Sequence, residues 1–174
     1  VGSSVLANGR DPYFSAWPDV VQLNAFSPDL RDAVVETLGS IASQCDGVRC
    51  DMAMLMMNDT FERTWGDRAG QRPDVDYWPT VIKAVKRAYP EFVFMAEAYW
   101  DLEWTLQQQG FDYTYDKRLY DRLLHQDAGA VRGPLRADPE YQRRSVRFLE
   151  NHDEPRAAAV FGPAVHDAAA VITL

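Results

Sequence analysis

Two cysteines and three histidines are all that this chain of 174 residues carries, and the shortage excludes several classes of protein. Two thiols, Cys45 and Cys50, cannot build a disulfide framework. Both are expected to be reduced and buried, with Cys50 inside a strand. Cations are also short: 18 Lys and Arg stand against 26 Asp and Glu, for a formal net charge of −8. Nucleic-acid binding needs clustered cations to neutralise phosphates, so that class is set aside. An acidic surface suits a neutral substrate. No apolar run approaches the roughly 20 residues of a membrane span, and Val1-Gly2-Ser3-Ser4 lacks the basic-then-apolar pattern of a signal peptide. There is no internal repeat and no low-complexity tract. The chain does not begin with Met and is expected to be cut from a longer one. Its compartment stays open, with the cytoplasm slightly favoured.

What is present reads as one ordinary domain with a real core: 47% of residues are hydrophobic and 25% charged. Residues 1–27 read as an irregular lead-in, with Asp11-Pro12 and Trp17-Pro18 as turn signals. From residue 28 to 174 the pattern alternates. A helix starts at Ser27-Pro28-Asp29, with Pro28 suited to the first helical position, and Leu30, Val34, Leu38 and Ile41 follow helical spacing. The strand Gly47–Cys50 comes next, then a long loop with some helix. Further helices are expected at Tyr77–Ala88, Leu102–Gln109, Lys117–His125, Asp138–Arg144 and Arg156–Val171, the last interrupted by Gly162-Pro163. Strands are expected at Phe92–Ala96, Phe111–Tyr115 and Val146–Leu149. Such alternation predicts an α/β fold with a parallel sheet and helical crossovers. About four strands fit either a small open α/β domain or half of an eight-stranded barrel.

Three acids each close a short apolar run: Asp51 after Gly47-Val48-Arg49-Cys50, Glu97 after Phe92-Val93-Phe94-Met95-Ala96, and Asp153 in Phe148-Leu149-Glu150-Asn151-His152-Asp153. Chemistry in α/β sheets and barrels collects at the C-terminal ends of the strands. Three carboxylates far apart in sequence are therefore expected to converge on one cleft. Paired carboxylates are what acid/base and nucleophilic work on sugars requires. The 12% aromatic content, with five Trp and eight Tyr, is compatible with rings stacking on sugars, although most will be core.

At these residues the sequence resembles the α-amylase superfamily of retaining glycoside hydrolases (family thirteen). Gly47-Val48-Arg49-Cys50-Asp51 is similar to that family's Gly-x-Arg-x-Asp motif, Ala96-Glu97-Ala98-Tyr99 to its acid/base strand end, and Asn151-His152-Asp153 to its third signature. Phe61-Glu62-Arg63-Thr64-Trp65-Gly66 and Gly110-Phe111-Asp112-Tyr113 look similar too. The resemblance implies a partial (β/α)8 TIM barrel, roughly its fourth to seventh strands, with residues 1–174 forming a fragment of the catalytic domain. The family's first signature is absent, and Leu55 stands where its second motif often has His.

The resemblance further implies a retaining α-glycoside hydrolase acting on α-glucans or maltooligosaccharides. A transglycosidase or isomerase, or a catalytically inactive amylase-like fragment, are the alternatives. Asp51 would be the nucleophile that forms a glycosyl-enzyme intermediate, and Glu97 the general acid and then base, protonated at the start. Asp153 would stabilise the oxocarbenium-like transition state. Arg49 lies two residues before Asp51, so both point to one side of the strand; it would position the nucleophile. His152 and Asn151 would contact sugar, and Tyr99, Trp100 and Trp65 are candidate stacking platforms or packing. No Lys falls at a strand end, as a Mg²⁺-assisted barrel site usually needs, so no metal and no cofactor are expected. The partners expected are an α-glucan or oligosaccharide substrate, with no nucleic acid and no membrane. A fragment would turn over little by itself and tend to self-associate through open barrel edges.

Overall fold

The computed structural model describes residues 5–174. Its centre is a four-stranded parallel sheet of β3 (Gly47–Cys50), β4 (Val93–Ala96), β5 (Tyr113–Tyr115) and β6 (Ser145–Val146), adjacent in sequence order. Ahead of it lies a two-stranded antiparallel pair, β1 (Asn8–Gly9) and β2 (Trp17–Val21). This corrects the irregular reading of residues 1–27. Pro18 disguised the strand, because proline gives no ladder donor and is tolerated at an edge.

Crossover helices join the strands. α1 (Pro28–Ala42) begins where expected: the Ser27 hydroxyl accepts a 3.3 Å hydrogen bond from the Leu30 amide, and Pro28 occupies the first turn. The segment after β3 holds a 3₁₀ turn, Ala53–Met56, and then α2 (Asn58–Trp65). α3 (Tyr77–Ala88) leads to β4, and α4 (Glu103–Gln108) to β5. After β5 come α5 (Lys117–Leu124), a short α6 (Ala128–Arg132) that the sequence reading had passed over, and α7 (Pro139–Arg143). The helical stretch expected over 156–171, interrupted at Gly162-Pro163, is two helices, α8 (Ala157–Val160) and α9 (Gly162–Thr173), parted at Gly162 with φ of +68°. The expected strand Val146–Leu149 is likewise replaced by Ser145–Val146, with irregular chain from 147 to 156.

Tight strand contact explains Gly47. A Cβ there would sit 2.6 Å from the Val93 carbonyl oxygen, so any side chain would push β3 off β4. The main core lies between the sheet and α3. Phe94 and Phe111 are fully buried, and Trp78 meets Phe111 edge-on at 4.7 Å. The Trp78 indole N–H donates to the Ala53 carbonyl at 2.7 Å, which ties α3 to the 3₁₀ turn beside β3. A second cluster gathers Leu119, Tyr120, Leu123 and Phe161 around α5 and α8. No helix among the described residues is long and apolar enough to cross a membrane.

Arg31 is buried in α1 without a carboxylate in hydrogen-bond contact. It donates to the Ala25 carbonyl (3.0 Å), the Val75 carbonyl (2.8 Å) and Asn58 Oδ1 (3.1 Å). Burial lowers its pKa, opposed by the nearby charge of Asp76. The side chain thus ties these loops together, and the Asn58 side-chain amide adds a longer 3.5 Å bond to the Val75 carbonyl. Arg31→Met, which takes a donor from all three acceptors, is expected to cost about 2–4 kcal/mol, read as a lower urea midpoint.

The two thiols differ, and one expectation is corrected: Cys45, at the end of the α1–β3 loop, is exposed rather than buried. Cys50 faces the core, and burial pushes its thiol up to about 12 despite the charge of Arg49. At pH 8 its thiolate fraction is on the order of 10⁻⁴. A chromogenic disulfide reagent is therefore expected to titrate one thiol in the native chain and both in urea; Cys45→Ser should abolish the native reaction.

Candidate active site

The sheet register sets the two main acids side by side. Arg49 pairs with Met95, and Cys50 with Ala96, so Asp51 and Glu97 each stand one residue past the last matched pair. The ladder runs on beyond them: the Glu97 amide donates to the Cys50 carbonyl at 3.0 Å, and the Ala53 amide to the Glu97 carbonyl at 3.1 Å.

Arg49 joins the pair. Its Nη1 lies 2.6 Å from Asp51 Oδ2 and its Nη2 lies 2.9 Å from Glu97 Oε2. The first contact is a well-aligned hydrogen bond. In the second the N–H does not point along the line to oxygen, so charge attraction holds it rather than a directed bond. The guanidinium also donates through Nε to the Tyr115 hydroxyl at 3.3 Å. Burial works against its charge, but the hydrogen bonds to Tyr115 and Asp51 and the charge of Glu97 outweigh it, so the guanidinium is held above its usual pKa.

The two acids have opposite surroundings. The Asp51 side chain is 75% exposed; Arg49 occupies Oδ2, and Oδ1 has no hydrogen-bond donor among the described residues. Glu97 is only 3% exposed. Its Oε2 also accepts from the Met52 amide at 2.7 Å, and its Oε1 from the Tyr99 hydroxyl at 2.8 Å. Arg49, Met52 and Tyr99 all present donors to that carboxylate. Tyr99 was a candidate for stacking; in the structure its hydroxyl fixes Glu97. Burial, then its hydrogen bond to Glu97 and the charges of Glu97, Asp153 and Glu154, push the phenol far above its ordinary pKa, so it stays a neutral donor.

The backbone is bent to make these contacts. Met52, directly after Asp51, has φ of +41°, and its N–H donates to Glu97 Oε2. Trp100 and Asp101, shortly after Glu97, have φ of +62° and +63°. Left-handed non-glycine residues cost on the order of 1–3 kcal/mol each and collect where geometry is forced.

Asp51, Glu97, Tyr99 and Asp153 line one cleft of about 750 Å³. The expectation that Asp153 ends a strand is corrected, because β6 stops at Val146 and Asp153 rides on the loop that follows. Asn151 shapes that loop: its Oδ1 accepts from the amides of Asp153 and Glu154, both at 2.9 Å. His152 is largely exposed, with Nε2 3.1 Å from Asp153 Oδ2. Neither Asn151 nor His152 lines the cleft. Trp65 packs on Phe61, away from it. Leu55 does line it, with Met52 and Met56.

The opposite wall was missed from sequence. Trp17, Val20 and Leu23, from β2 and the chain after it, face the three acids across the cleft. The connecting loop is pinned by Tyr13, which meets Trp100 edge-on at 4.7 Å and receives a 2.9 Å hydrogen bond from Arg63. The only sequence signal was the pair of turn dipeptides, which mark bends but not pairing.

No protein-family model and no curated protein matches the sequence. Solved structures do match the fold. An α-amylase from Lactobacillus plantarum superposes with a TM-score of 0.64 at 24% identity, over 94% of this chain and 39% of that one. A debranching enzyme from Nostoc punctiforme gives 0.65 at 16% identity, over 97% and 39%. An α-amylase from H. orenii gives 0.60 at 18% identity, over 84% and 31%. The chain spans about two fifths of the length of the first two structures. Four adjacent parallel strands, helical crossovers and these superpositions together show that the chain has the fold of part of an α-amylase-type β/α barrel.

Proposed function

We propose that this chain carries the reacting carboxylates of a retaining α-glycoside hydrolase acting on α-glucans or maltooligosaccharides. The observation that carries the reading is the Arg49 bridge. One guanidinium holds an exposed Asp51 and a buried Glu97 at matched positions on neighbouring strands, both facing a cleft that Asp153 also lines. The solved structures of similar fold are an amylase and a debranching enzyme, which supports the same class of substrate.

The roles follow from the surroundings. Arg49 immobilises one oxygen of Asp51 and leaves the other for attack on the anomeric carbon. The bond from that carbon to the leaving oxygen breaks as Glu97 gives that oxygen a proton, and a glycosyl ester forms on Asp51. Glu97 then takes a proton from the incoming water, whose oxygen displaces Asp51. Each transfer passes through the one carboxylate that Tyr99 and the Met52 amide hold in place. Asp153, on its loop across the cleft, faces the positive charge that develops at the sugar ring.

The test uses the complete protein carrying this sequence and two substrates. Asp51→Asn is expected to lower kcat on α-glucosyl fluoride and on maltooligosaccharides alike, by about 10⁴-fold. Glu97→Gln should be selective. Fluoride leaves without a proton, so the first step with α-glucosyl fluoride survives and the second fails. Intact-mass measurement should then show a glucosyl adduct on the enzyme, while maltooligosaccharide turnover is lost. Unchanged turnover in Asp51→Asn would refute the assignment.

A further inference from the structure

Tyr115 closes β5, next to β4 in the sheet, and is buried. It does not line the catalytic cleft, so any effect it has on the chemistry passes through a neighbour. Its packing asks only for a ring. That ring lies 5.3 Å from the ring of Phe148 and 5.8 Å from the Arg49 guanidinium carbon, and phenylalanine would fill the same space. The hydroxyl needs a separate reason, because a buried hydroxyl is costly without a partner. Among the described residues Arg49 Nε is the one that bonds it, at 3.3 Å.

The shape of the guanidinium gives that bond a use. Arg49 makes two directed side-chain bonds, Nη1 to Asp51 and Nε to Tyr115, while Nη2 faces Glu97 without one. Two directed bonds fix the orientation of a rigid plane. With one, the plane pivots about Asp51 and Nη2 swings away from Glu97.

The Tyr115 ring has its second contact on the side of the third acid. Phe148 also stacks on Tyr120, with centroids 5.4 Å apart and 21° between planes, and it stands near the start of the irregular segment 147–156 that carries Asp153. Directly after Asp153, Glu154 meets Lys117 Nζ at 3.0 Å, and the same ammonium lies 4.8 Å from the centre of the Tyr120 ring. The loop is thus held on both sides of Asp153 beside Tyr120, and Phe148 carries that anchor on to Tyr115.

We infer that Tyr115 is a positioning residue: its hydroxyl orients Arg49, its ring rests on Phe148, and through it the Asp153 loop and the pair held by Arg49 share one spatial frame. The inference rests on the catalytic reading above and adds that the three acids are set as a unit rather than singly. Contact alone does not establish coupling, whereas a double-mutant cycle does.

The cycle uses the complete protein carrying this sequence, with α-glucosyl fluoride as substrate. Tyr115→Phe is expected to lower kcat about tenfold, the worth of one hydrogen bond to a charged group, with KM within about twofold and the thermal midpoint within about 2 °C of the parent. Phe148→Leu, which thins the link but keeps it apolar, should lower kcat by a similar factor. If one joint carries both effects, the double variant loses about ten- to twentyfold rather than the roughly hundredfold of independent sites. A parent-like kcat in Tyr115→Phe would overturn the inference while the catalytic reading stands. So would a raised KM at constant kcat, which makes Tyr115 a substrate contact, or a kcat loss matched by a falling thermal midpoint, which makes it a packing residue. Fully additive losses would also overturn it, by separating Arg49 from the Asp153 loop. A parent that leaves α-glucosyl fluoride untouched would overturn the catalytic reading and this inference together.

Discussion

The guanidinium of Arg49 is the part on which the rest of the site depends. Asp51 is exposed and would otherwise swing freely; Glu97 is buried and would otherwise lose one of the contacts that fix it. One rigid planar fork answers both needs, because its two terminal nitrogens reach two carboxylates at once. Lysine, a point charge on a flexible stem, offers no such fixed geometry. Behind the fork, Tyr115 holds the third nitrogen from β5, and the Tyr115 ring lies 5.8 Å from the guanidinium carbon. Three adjacent strands are thus needed to place one side chain.

The forced backbone around the acids belongs to the same arrangement. Met52 departs from the strand conformation directly after Asp51, and Trp100 and Asp101 do so shortly after Glu97. What each departure achieves is visible. Met52 gives its N–H to Glu97. Trp100 reaches Tyr13 and anchors the loop of the opposite wall. Asp101 reaches Arg118 on α5. Such positions persist only where the surroundings over-determine them, and the core beneath β4, with Phe94 and Phe111 fully buried, is the rigid base that does so.

Much of this was legible in the sequence, for reasons that can be given residue by residue. β3, β4 and the helices between them announce themselves through apolar runs and caps, as at Ser27-Pro28. The pairing of Arg49 with Asp51 follows from strand alternation alone. What stayed hidden was set by tertiary contact. Trp17–Val21 pairs with a two-residue partner across a loop, and Pro18 masks it. Phe148 and Leu149 read as strand, yet they pack against the α5–α8 cluster from an irregular segment. Tyr99 reads as an aromatic face, but its hydroxyl does the positioning. Cys45 reads as a buried thiol because cysteine usually is one.

The register of β3 against β4 has a stereochemical consequence. Neighbouring strands lie about 4.7–4.9 Å apart, and acids one step past a matched pair start from that spacing. Double displacement at a sugar asks for carboxyl groups about 5–5.5 Å apart, whereas direct displacement by water asks for about 6.5–9.5 Å. That spacing is in keeping with the shorter length, and so with the double displacement proposed above. Gly47, pressed against the Val93 carbonyl at the far end of the same strand pair, leaves no slack for the two strands to drift apart in register. On the proposed function, the fate of the anomeric configuration would be tied to the hydrogen-bond ladder as much as to any side chain.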